Sequence, residues 1–290
     1  MSLFPEPAPS LPPFSSLLIA GPYHPSAPVH LAFTSAGPKS PVLLLCPDRA
    51  KFNEEMVQFN DHWLNSQSGT GKNSKLTSYV SILYPPTPVH LSLLLSMFHV
   101  PGSENVQPES TPKTALAIPP NLVILADLSR YFLDVPESSS NPPTLSSYMN
   151  LVNRVFVSML NMTSGDRPTP KFALFDSRLD KFKLPLTAVP SRLEDDDDTA
   201  DQCEAIVVLP LVEKLFEWIG IFEDDDSYIP SSQGEESSDE LEGARKQLRL
   251  YRHNQGGEDD ERKYHWVERR CKKSRFIKSE ETEFVWEDTS

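Results

Sequence analysis

The feature of this sequence that most constrains its fold is a series of short apolar runs bounded by glycine, proline or polar residues. Such runs are typical of strands that are buried on both faces of a parallel sheet. Stretches with apolar residues at helical spacing separate them, and this alternation predicts an α/β fold with a mostly parallel central sheet flanked by helices. The predicted strands are Ser16 to Ala20, Val42 to Cys46, Ser78 to Tyr84, Leu122 to Ala126, Lys171 to Asp176 and Trp218 to Phe222.

Helices are predicted between these strands from apolar spacing and from capping residues. The first spans Asn53 to Leu64, with Asn53 as its cap, and the second spans His90 to His99. The clearest helical pattern begins after Thr144, and a further helix is predicted over Ile206 to Phe216. The stripe after Thr144 consists of Leu145, Tyr148, Met149, Val152, Val155, Phe156, Met159 and Leu160.

Composition predicts how the chain is divided. Residues 14–222 form the α/β core, and several polar segments hold too few large apolar residues to offset the entropy of ordering. The segments predicted to be disordered or flexible are the proline-rich N-terminus 1–13, loops 101–120 and 191–203, and the acidic insert 223–261. Residues 262–290 are predicted to form terminal antiparallel strands packed on the core, around Tyr264 to Cys271, Arg275 to Lys278 and Glu283 to Trp286.

Charge and cysteine content exclude some classes of protein. The net charge is −14, and the acidic excess lies in the last hundred residues, so the chain is not one that coats nucleic acid with its whole surface. Three cysteines far apart predict reduced thiols in an intracellular compartment and no metal site. No apolar run approaches a membrane span of about 20 residues and no leader pattern is visible, so we expect a soluble protein that is not secreted.

The loop after the first strand is where a phosphate-binding P-loop would lie. A P-loop needs a first glycine and, after four residues, a second glycine followed by Lys and Ser/Thr. Here Gly21 is present, but Ser26, Ala27 and Pro28 stand at the other three positions. Pro22, Pro25 and Pro28 also lack the backbone N–H groups that would hold a phosphate. We therefore expect no functional phosphate site and no cofactor.

Two other segments resemble parts of a nucleotide site. The Gly-Thr-Gly-Lys segment that ends at Lys72 lacks the first glycine of a P-loop, and Asn73 replaces its hydroxyl residue. No apolar strand leads into it, so a flexible surface loop is the favoured interpretation. Asp127 follows the fourth strand, where an acidic residue helps to hold magnesium in nucleotide-binding proteins. Without an upstream lysine, Asp127 is interpreted as structural or vestigial.

The segment from Leu83 to Gly102, followed by Asn121 to Asp134, resembles the RecA-like recombinase paralogues, and most closely the SWIM-domain-protein-associated subunit of the Shu complex. The likeness covers about two-thirds of the chain. Tyr84, Pro85 and Pro86 match a Tyr-Pro-Pro turn, and Leu128 and Tyr131 match the turn after the Walker B strand. In that alignment the strand-ending Asp falls on Ala126, one place before Asp127. Trp266 and Trp286 fit terminal strands of the family.

This resemblance implies a nuclear, RecA-like subunit with degenerate Walker motifs that does not hydrolyse ATP. Its implied partners are a zinc-binding SWIM-domain protein and a RecA-family recombinase or its paralogues, with no membrane. Its implied role is to support recombinase assembly on single-stranded DNA during homologous recombination and repair. Such a role tolerates the loss of a catalytic site, because fold and site are separable.

The segment from Arg262 to Lys278 is strongly basic and carries interleaved aromatic residues, a pattern typical of single-strand binding. An equally weighted alternative places Tyr264, Trp266 and Phe276 in the core and leaves the charges on a solvated strand face. A cluster of this size can also serve as a nuclear localisation signal. The candidate DNA-binding residues are Arg262, Lys263, Arg269, Arg270, Lys272, Lys273, Arg275 and Lys278.

Two further functions remain open at the level of sequence. A RecA-like structural subunit of another assembly, such as the Elongator accessory ring, would also lack nucleotide motifs. The basic terminal segment and the Tyr-Pro-Pro turn favour the recombination subunit over it. An enzyme of unrelated chemistry is disfavoured, because the seven histidines form no H-x-x-x-H pair and no serine lies in a nucleophile elbow.

Overall fold

The main sheet of the protein has nine strands and is mixed. The structure is a computed structural model, and it describes residues 1–98, 118–133, 142–163, 168–186, 205–225, 243–253, 261–274 and 277–286. The strand order is β11-β10-β9-β8-β1-β5-β4-β2-β3. The neighbouring strands β3, β2, β4, β5, β1 and β8 pair in parallel, and the neighbouring strands β8, β9, β10 and β11 pair antiparallel. The predicted fold class, a mostly parallel central sheet flanked by helices with antiparallel C-terminal strands, is confirmed. The parallel strands are β1 (Ser16–Ala20), β2 (Val42–Leu45), β3 (Val80–Leu83), β4 (Leu122–Ala126), β5 (Lys171–Asp176) and β8 (Trp218–Asp224).

The central strands are buried on both faces, as their apolar sequences predict. All five residues of β1 and all five of β4 are buried. Leu18 on β1 pairs in register with Leu174 on β5 and with Ile219 on β8. Alternate residues face opposite sides of a strand, so each strand contributes to two separate apolar layers. One layer contains Leu18 and the other contains Ile19.

Helices cover both layers, and several differ from the prediction. The helix predicted over Asn53 to Leu64 is two helices, because Asn60 adopts a left-handed conformation (φ 43°) that ends the first. Asp48 and Asp61 cap them in place of Asn53. The predicted flexible loop at residues 68–73 was wrong, since a helix begins at Gly71. The helices before β3 are α1 (Ala27–Ser35), α2 (Arg49–Phe59), α3 (His62–Gln67) and α4 (Gly71–Thr77).

The helices after β3 lie closer to the prediction. Thr87 caps α5 (Pro88–Met97), and Thr144 caps α7 (Leu145–Met162) by accepting from the N–H of Ser147 at 3.1 Å. In place of a helix over Ile206 to Phe216, β7 (Ala205–Val207) pairs with β6 (Lys183–Pro185) and a shorter helix follows. Pro210 explains the late start, because proline fits only the first turn of a helix. The remaining helices are α6 (Arg130–Leu133) and α8 (Leu209–Val212), which continues as a 3₁₀ turn.

The C-terminal strands are β9 (Gly243–Arg252), β10 (Arg262–Ser274) and β11 (Ile277–Trp286). The predicted terminal antiparallel strands are therefore confirmed. The prediction of disorder over 223–261 was wrong for residues 243–252, because alternate residues Leu248 and Leu250 of β9 are buried in the core. Residues 223 and 224 of that insert belong to β8, whereas residues 226–242 and 254–260, like loop 191–203 and most of loop 101–120, lie outside the described residues.

The proline-rich N-terminus, predicted to be disordered, packs on the sheet. Leu3, Phe4 and Phe14 are buried, and the ring of Phe4 lies 4.7 Å from that of Phe284 and 5.1 Å from that of Trp266. Burial of two large apolar side chains contributes about 3–6 kcal/mol before the entropy of ordering is subtracted. This gain explains why a short segment without regular structure is ordered here.

Strand β11 is fixed at the corner between α2 and α3. The N–H of Thr282 donates to the carbonyl of Asn60 at 2.8 Å, and its hydroxyl donates to the carbonyl of Phe59 at 2.5 Å. His62 Nδ1 lies 2.6 Å from the carboxylate of Glu281, whose side chain is almost fully buried. These contacts hold the C-terminal strands over the apolar layer that contains Ile19 and Phe4. Among the described helices, none is long and apolar enough to cross a membrane.

Candidate functional site

Three loops meet at the carboxyl edge of the parallel strands β1, β4 and β5. These strands are neighbours in the sheet, and the carboxyl edge of an α/β sheet is where ligands usually bind. The loop after β1 begins at Gly21, the turn after β4 begins at Asp127, and the turn after β5 begins at Ser177. Asp127 and the loop that begins at Gly21, both singled out from sequence, are therefore brought together.

Gly21 is needed because of the close approach of β8. Its φ is +86°, and a Cβ atom built on it would lie 2.4 Å from the carbonyl oxygen of Phe222. Any side chain here would clash with the backbone and would also strain a conformation that L-residues avoid. The glycine therefore serves the packing of β1 against β8.

The positions of the missing P-loop residues face the interior. Ser26 and Ala27 are fully buried, and Pro28 occupies the first turn of α1. The hydroxyl of Ser26 lies 2.7 Å from Nδ1 of His24. Burial lowers the pKa of His24 to about 4, so its imidazole is neutral at physiological pH and supplies no cation. No side chain in this loop replaces the lysine of a P-loop.

Asp127 is engaged by protein donors from three elements. Its Oδ1 accepts from the hydroxyl of Tyr23 at 2.9 Å and from the hydroxyl of Ser177 at 3.0 Å. Its Oδ2 accepts from Nε of Arg130 at 3.3 Å, and the same guanidinium contacts Glu55 at 2.5 Å. Asp127 itself has a φ of 50°, which its short polar side chain tolerates. The carboxylate ties the ends of β1, β4 and β5 together.

Asp176, which the sequence reasoning did not single out, is a second and fully buried carboxyl at this edge. It accepts from the N–H and hydroxyl of Ser129 at 2.8 and 2.6 Å and from the hydroxyl of Tyr148 at 3.0 Å. Burial, and then the nearby carboxylate of Asp127, raise the pKa of Asp176 to about 6. The only sequence signal was an acidic residue that ends an apolar strand, the same signal that marked Asp127.

A cleft of about 280 Å³ lies between the loop after β1, helix α2 and the turns after β4 and β5. Its walls are prolines and aromatic rings, and its carboxylates are those of Glu55 and Asp127. Arg130 is paired with both of them, and Arg178 also lines the cleft. A triphosphate here would face two carboxylates and would find no P-loop lysine. Within the described residues, no group of three or more His, Cys, Asp or Glu side chains could hold a metal ion.

Two aromatic residues of the basic terminal segment, Tyr264 and Trp266, pack in the core. Trp266 is fully buried against Phe4 and Phe222, and Tyr264 packs against the same layer. His265 Nδ1 lies 3.4 Å from the carboxylate of Asp225. Phe276 lies outside the described residues. Trp266 is therefore unable to stack on a base while the N-terminus occupies its present position.

The basic residues of this segment are divided between two faces of β10. Lys263 and Arg269 share one face, and Arg262 and Arg270 share the other with Trp266, because side chains alternate along a strand. Lys263 lies 3.7 Å from Glu261, and Arg270 lies 3.8 Å from Glu280. Arg275 and the side chains of Lys272, Lys273 and Lys278 lie outside what the structure describes.

Strand β9 adds basic residues that the sequence reasoning missed, because their segment was predicted to be disordered. Arg249 lies directly opposite Lys263 in the β9–β10 register. The three cations Arg245, Lys246 and Arg249 pair with the acidic end of β8, namely Asp225, Asp224 and Glu223. Salt bridges between β9 and the acidic residues at and just after the end of β8 therefore contribute to this surface, in addition to the basic residues of β10.

Replacement of Gly21 by alanine is expected to lower the free energy of unfolding by at least about 2 kcal/mol, because a Cβ would clash with Phe222 and strain the backbone. Urea titration followed by circular dichroism measures the change. Gly37→Ala is the matched control, since its added Cβ meets no atom within 4 Å, and it should stay within about 0.5 kcal/mol. Equal stability of the two variants would contradict this account of Gly21.

No family model matches the chain, and no curated protein matches it. Among solved structures, the chain is similar to one described as the crystal structure of the RadB recombinase, with 10% sequence identity and a TM-score of 0.42. That similarity covers 88% of this chain and 88% of the RadB chain.

Proposed function

We propose that this chain is a non-catalytic, RecA-like subunit that supports homologous recombination and DNA repair in the nucleus. In this proposal it acts with a SWIM-domain zinc protein of the Shu type and promotes assembly of a recombinase on single-stranded DNA. The observation that carries the proposal is the altered phosphate cradle, in which prolines and a buried alanine replace the backbone donors and the lysine. The Tyr-Pro-Pro turn and the β4 segment resemble those of the Shu-complex subunit, and this resemblance is the reason for proposing a Shu-type assembly.

The loss of nucleotide chemistry is supported by charge as well as by sequence. Phosphate binding by a P-loop depends on backbone N–H groups and on a lysine that neutralises the anion. In this chain the cleft carries the carboxylates of Glu55 and Asp127, the guanidinium of Arg130, which both carboxylates engage, and Arg178, so its charges balance and give a phosphate no net attraction. The protein is therefore proposed to be a pseudo-ATPase that needs no cofactor.

Helix α5 supports a partner-binding role. It contains no charged residue, although it lies at the surface. Val89, Leu93 and Met97 recur every four residues and are 74%, 55% and 43% exposed. Helices that are apolar all round are typical of buried positions, and exposed apolar patches mark interaction sites. We assign this stripe to the contact with the protein partner.

The opposite end of the sheet supports the proposed contact with DNA. Lys263 and Arg269 share an exposed face of β10 with Arg249 of the neighbouring strand. Phosphates could replace the acidic partners of these side chains, and such contacts weaken as salt rises. The other face of β10 carries Trp266 and is covered by the N-terminus. We therefore assign DNA contact to the face with Lys263 and Arg269.

Magnesium and ATP at about 1 mM are expected to leave the melting temperature of the purified chain unchanged, because a ligand that does not bind the folded state cannot stabilise it. Differential scanning fluorimetry measures this, with a catalytic RecA-family ATPase as the positive control. A magnesium-dependent rise in melting temperature would contradict the pseudo-ATPase proposal.

Affinity capture of the tagged chain from dividing cells is expected to recover a SWIM-domain zinc protein. Leu93→Asp should reduce this capture at least about tenfold, because it places a charge at the centre of the apolar stripe. Gln58→Asp is the control, since it adds the same charge at an exposed position of α2, away from the stripe. Recovery of a different assembly, such as subunits of an Elongator ring, or equal capture by both variants would reject this part of the proposal.

The double variant Lys263→Glu with Arg269→Glu is expected to weaken binding of single-stranded DNA about tenfold at low salt, because two phosphate contacts become repulsive. Arg262→Glu with Arg270→Glu tests the other face and should have a smaller effect. Lys39→Glu with Lys75→Glu changes the net charge equally at exposed sites elsewhere. Fluorescence anisotropy at several salt concentrations distinguishes the three. Equal weakening by all three would show only a net-charge effect and would remove the β10 face from the proposal.

A further inference from the structure

An aromatic pocket on the C-terminal strands holds the side chain of Phe4. The pocket is formed by Phe222, Trp266, Phe284 and Trp286, whose ring centroids lie 6.2, 5.1, 4.7 and 5.4 Å from that of Phe4. We call it the Phe4 pocket. Phe4 is 1% exposed and its neighbour Leu3 is 2% exposed, whereas Glu6 and Pro7 are at the surface. The segment is therefore anchored by two adjacent apolar side chains.

The backbone of residues 1–11 adds little to this anchoring. The N–H of Ser2 donates to the hydroxyl of Thr34 at 3.0 Å, and that hydroxyl lies 3.0 Å from the carbonyl of Ser2. Two other backbone hydrogen bonds, from Ala8 to Pro5 and from Leu11 to Met1, stay within the segment. Its prolines have no N–H to donate. A peptide held in this way resembles a bound proline-rich ligand more than a strand of the sheet.

The segment does not fill the space around it. A cleft of about 560 Å³ lies between residues 1–10 and the helices α1, α3 and α4. Its walls include Phe33, Thr34, His30 and Trp63, and His30 is held by a 2.6 Å contact with the buried carboxylate of Asp61. The cleft is open to solvent, so the side of the segment that faces α1, α3 and α4 is not enclosed by the rest of the protein.

We propose that the Phe4 pocket is a receptor site for a proline-rich peptide with a Leu-Phe anchor, and that residues 1–11 occupy it in cis until a partner's peptide of that chemistry displaces them. The seated segment itself defines the chemistry: a large aromatic side chain for the pocket, an adjacent aliphatic one, and prolines that keep the backbone extended. The inference goes beyond the proposed recombination role and does not depend on it.

The test uses the full chain and a fluorescent peptide that copies residues 1–14. The variant Phe4→Ala empties the pocket, so it is expected to bind the peptide at least about tenfold more tightly than the wild-type chain, in which the cis segment competes. A peptide carrying Phe4→Ala should not bind. Pro13→Ala is the control variant, because Pro13 is exposed and its replacement leaves the pocket occupied.

A second variant keeps the test decisive if Phe4→Ala fails to fold. Thr34→Val removes the hydroxyl that holds Ser2 but leaves every ring of the pocket in place. With excess unlabelled peptide, amide hydrogen exchange of residues 1–11 should accelerate in Thr34→Val and in the wild-type chain, because the segment is displaced. No peptide binding to either folded variant and no change in exchange would overturn the proposal. A dimer that Phe4→Ala abolishes would assign the pocket to a second copy and would also overturn it.

Discussion

Burial of the central parallel strands on both faces is the constraint on which the rest of the structure depends. Strands β1 and β4 leave no polar side chain facing either layer except at their ends. Polar and charged residues therefore collect at the carboxyl edge, where Asp127 follows β4, Asp176 is the buried last residue of β5 and Ser177 follows it. Because both faces of the sheet are apolar, helices cover both. Helix α5 is unusual because it carries apolar residues on its exposed side as well as on the side that packs in the core.

The carboxyl edge of the parallel strands is joined by side-chain hydrogen bonds. Where a P-loop would offer donors to a phosphate, this chain supplies its own acceptors and donors: Tyr23 and Ser177 donate to Asp127, and Ser129 and Tyr148 donate to Asp176. The raised pKa of Asp176 follows from burial beside a second carboxylate. These hydrogen bonds join the carboxyl ends of β1, β4 and β5 to α7.

The N-terminal segment and the C-terminal strands β10 and β11 pack together on the apolar layer that contains Ile19. Strands β10 and β11 bend over α1 and are held by Asn60, His62 and Thr282 at the α2–α3 corner. The N-terminal segment then inserts Phe4 between their aromatic residues. Residues separated by more than 200 positions are thereby packed together, and the proposed DNA face of β10 remains on the other side of the same strands.

The sequence by itself determined the strands of the parallel sheet and the helix capped by Thr144, because each depends on local apolar spacing or on the chemistry of particular residues. It marked Gly21, Ala27, Pro28 and Asp127 for the same reason. Only the tertiary structure decided that residues 1–13 and 243–252 are ordered, since Phe4, Leu248 and Leu250 gain their stability from distant partners. It also decided that the basic cluster is split between two faces of β10, because strand register, and not proximity in sequence, determines which side chains share a surface.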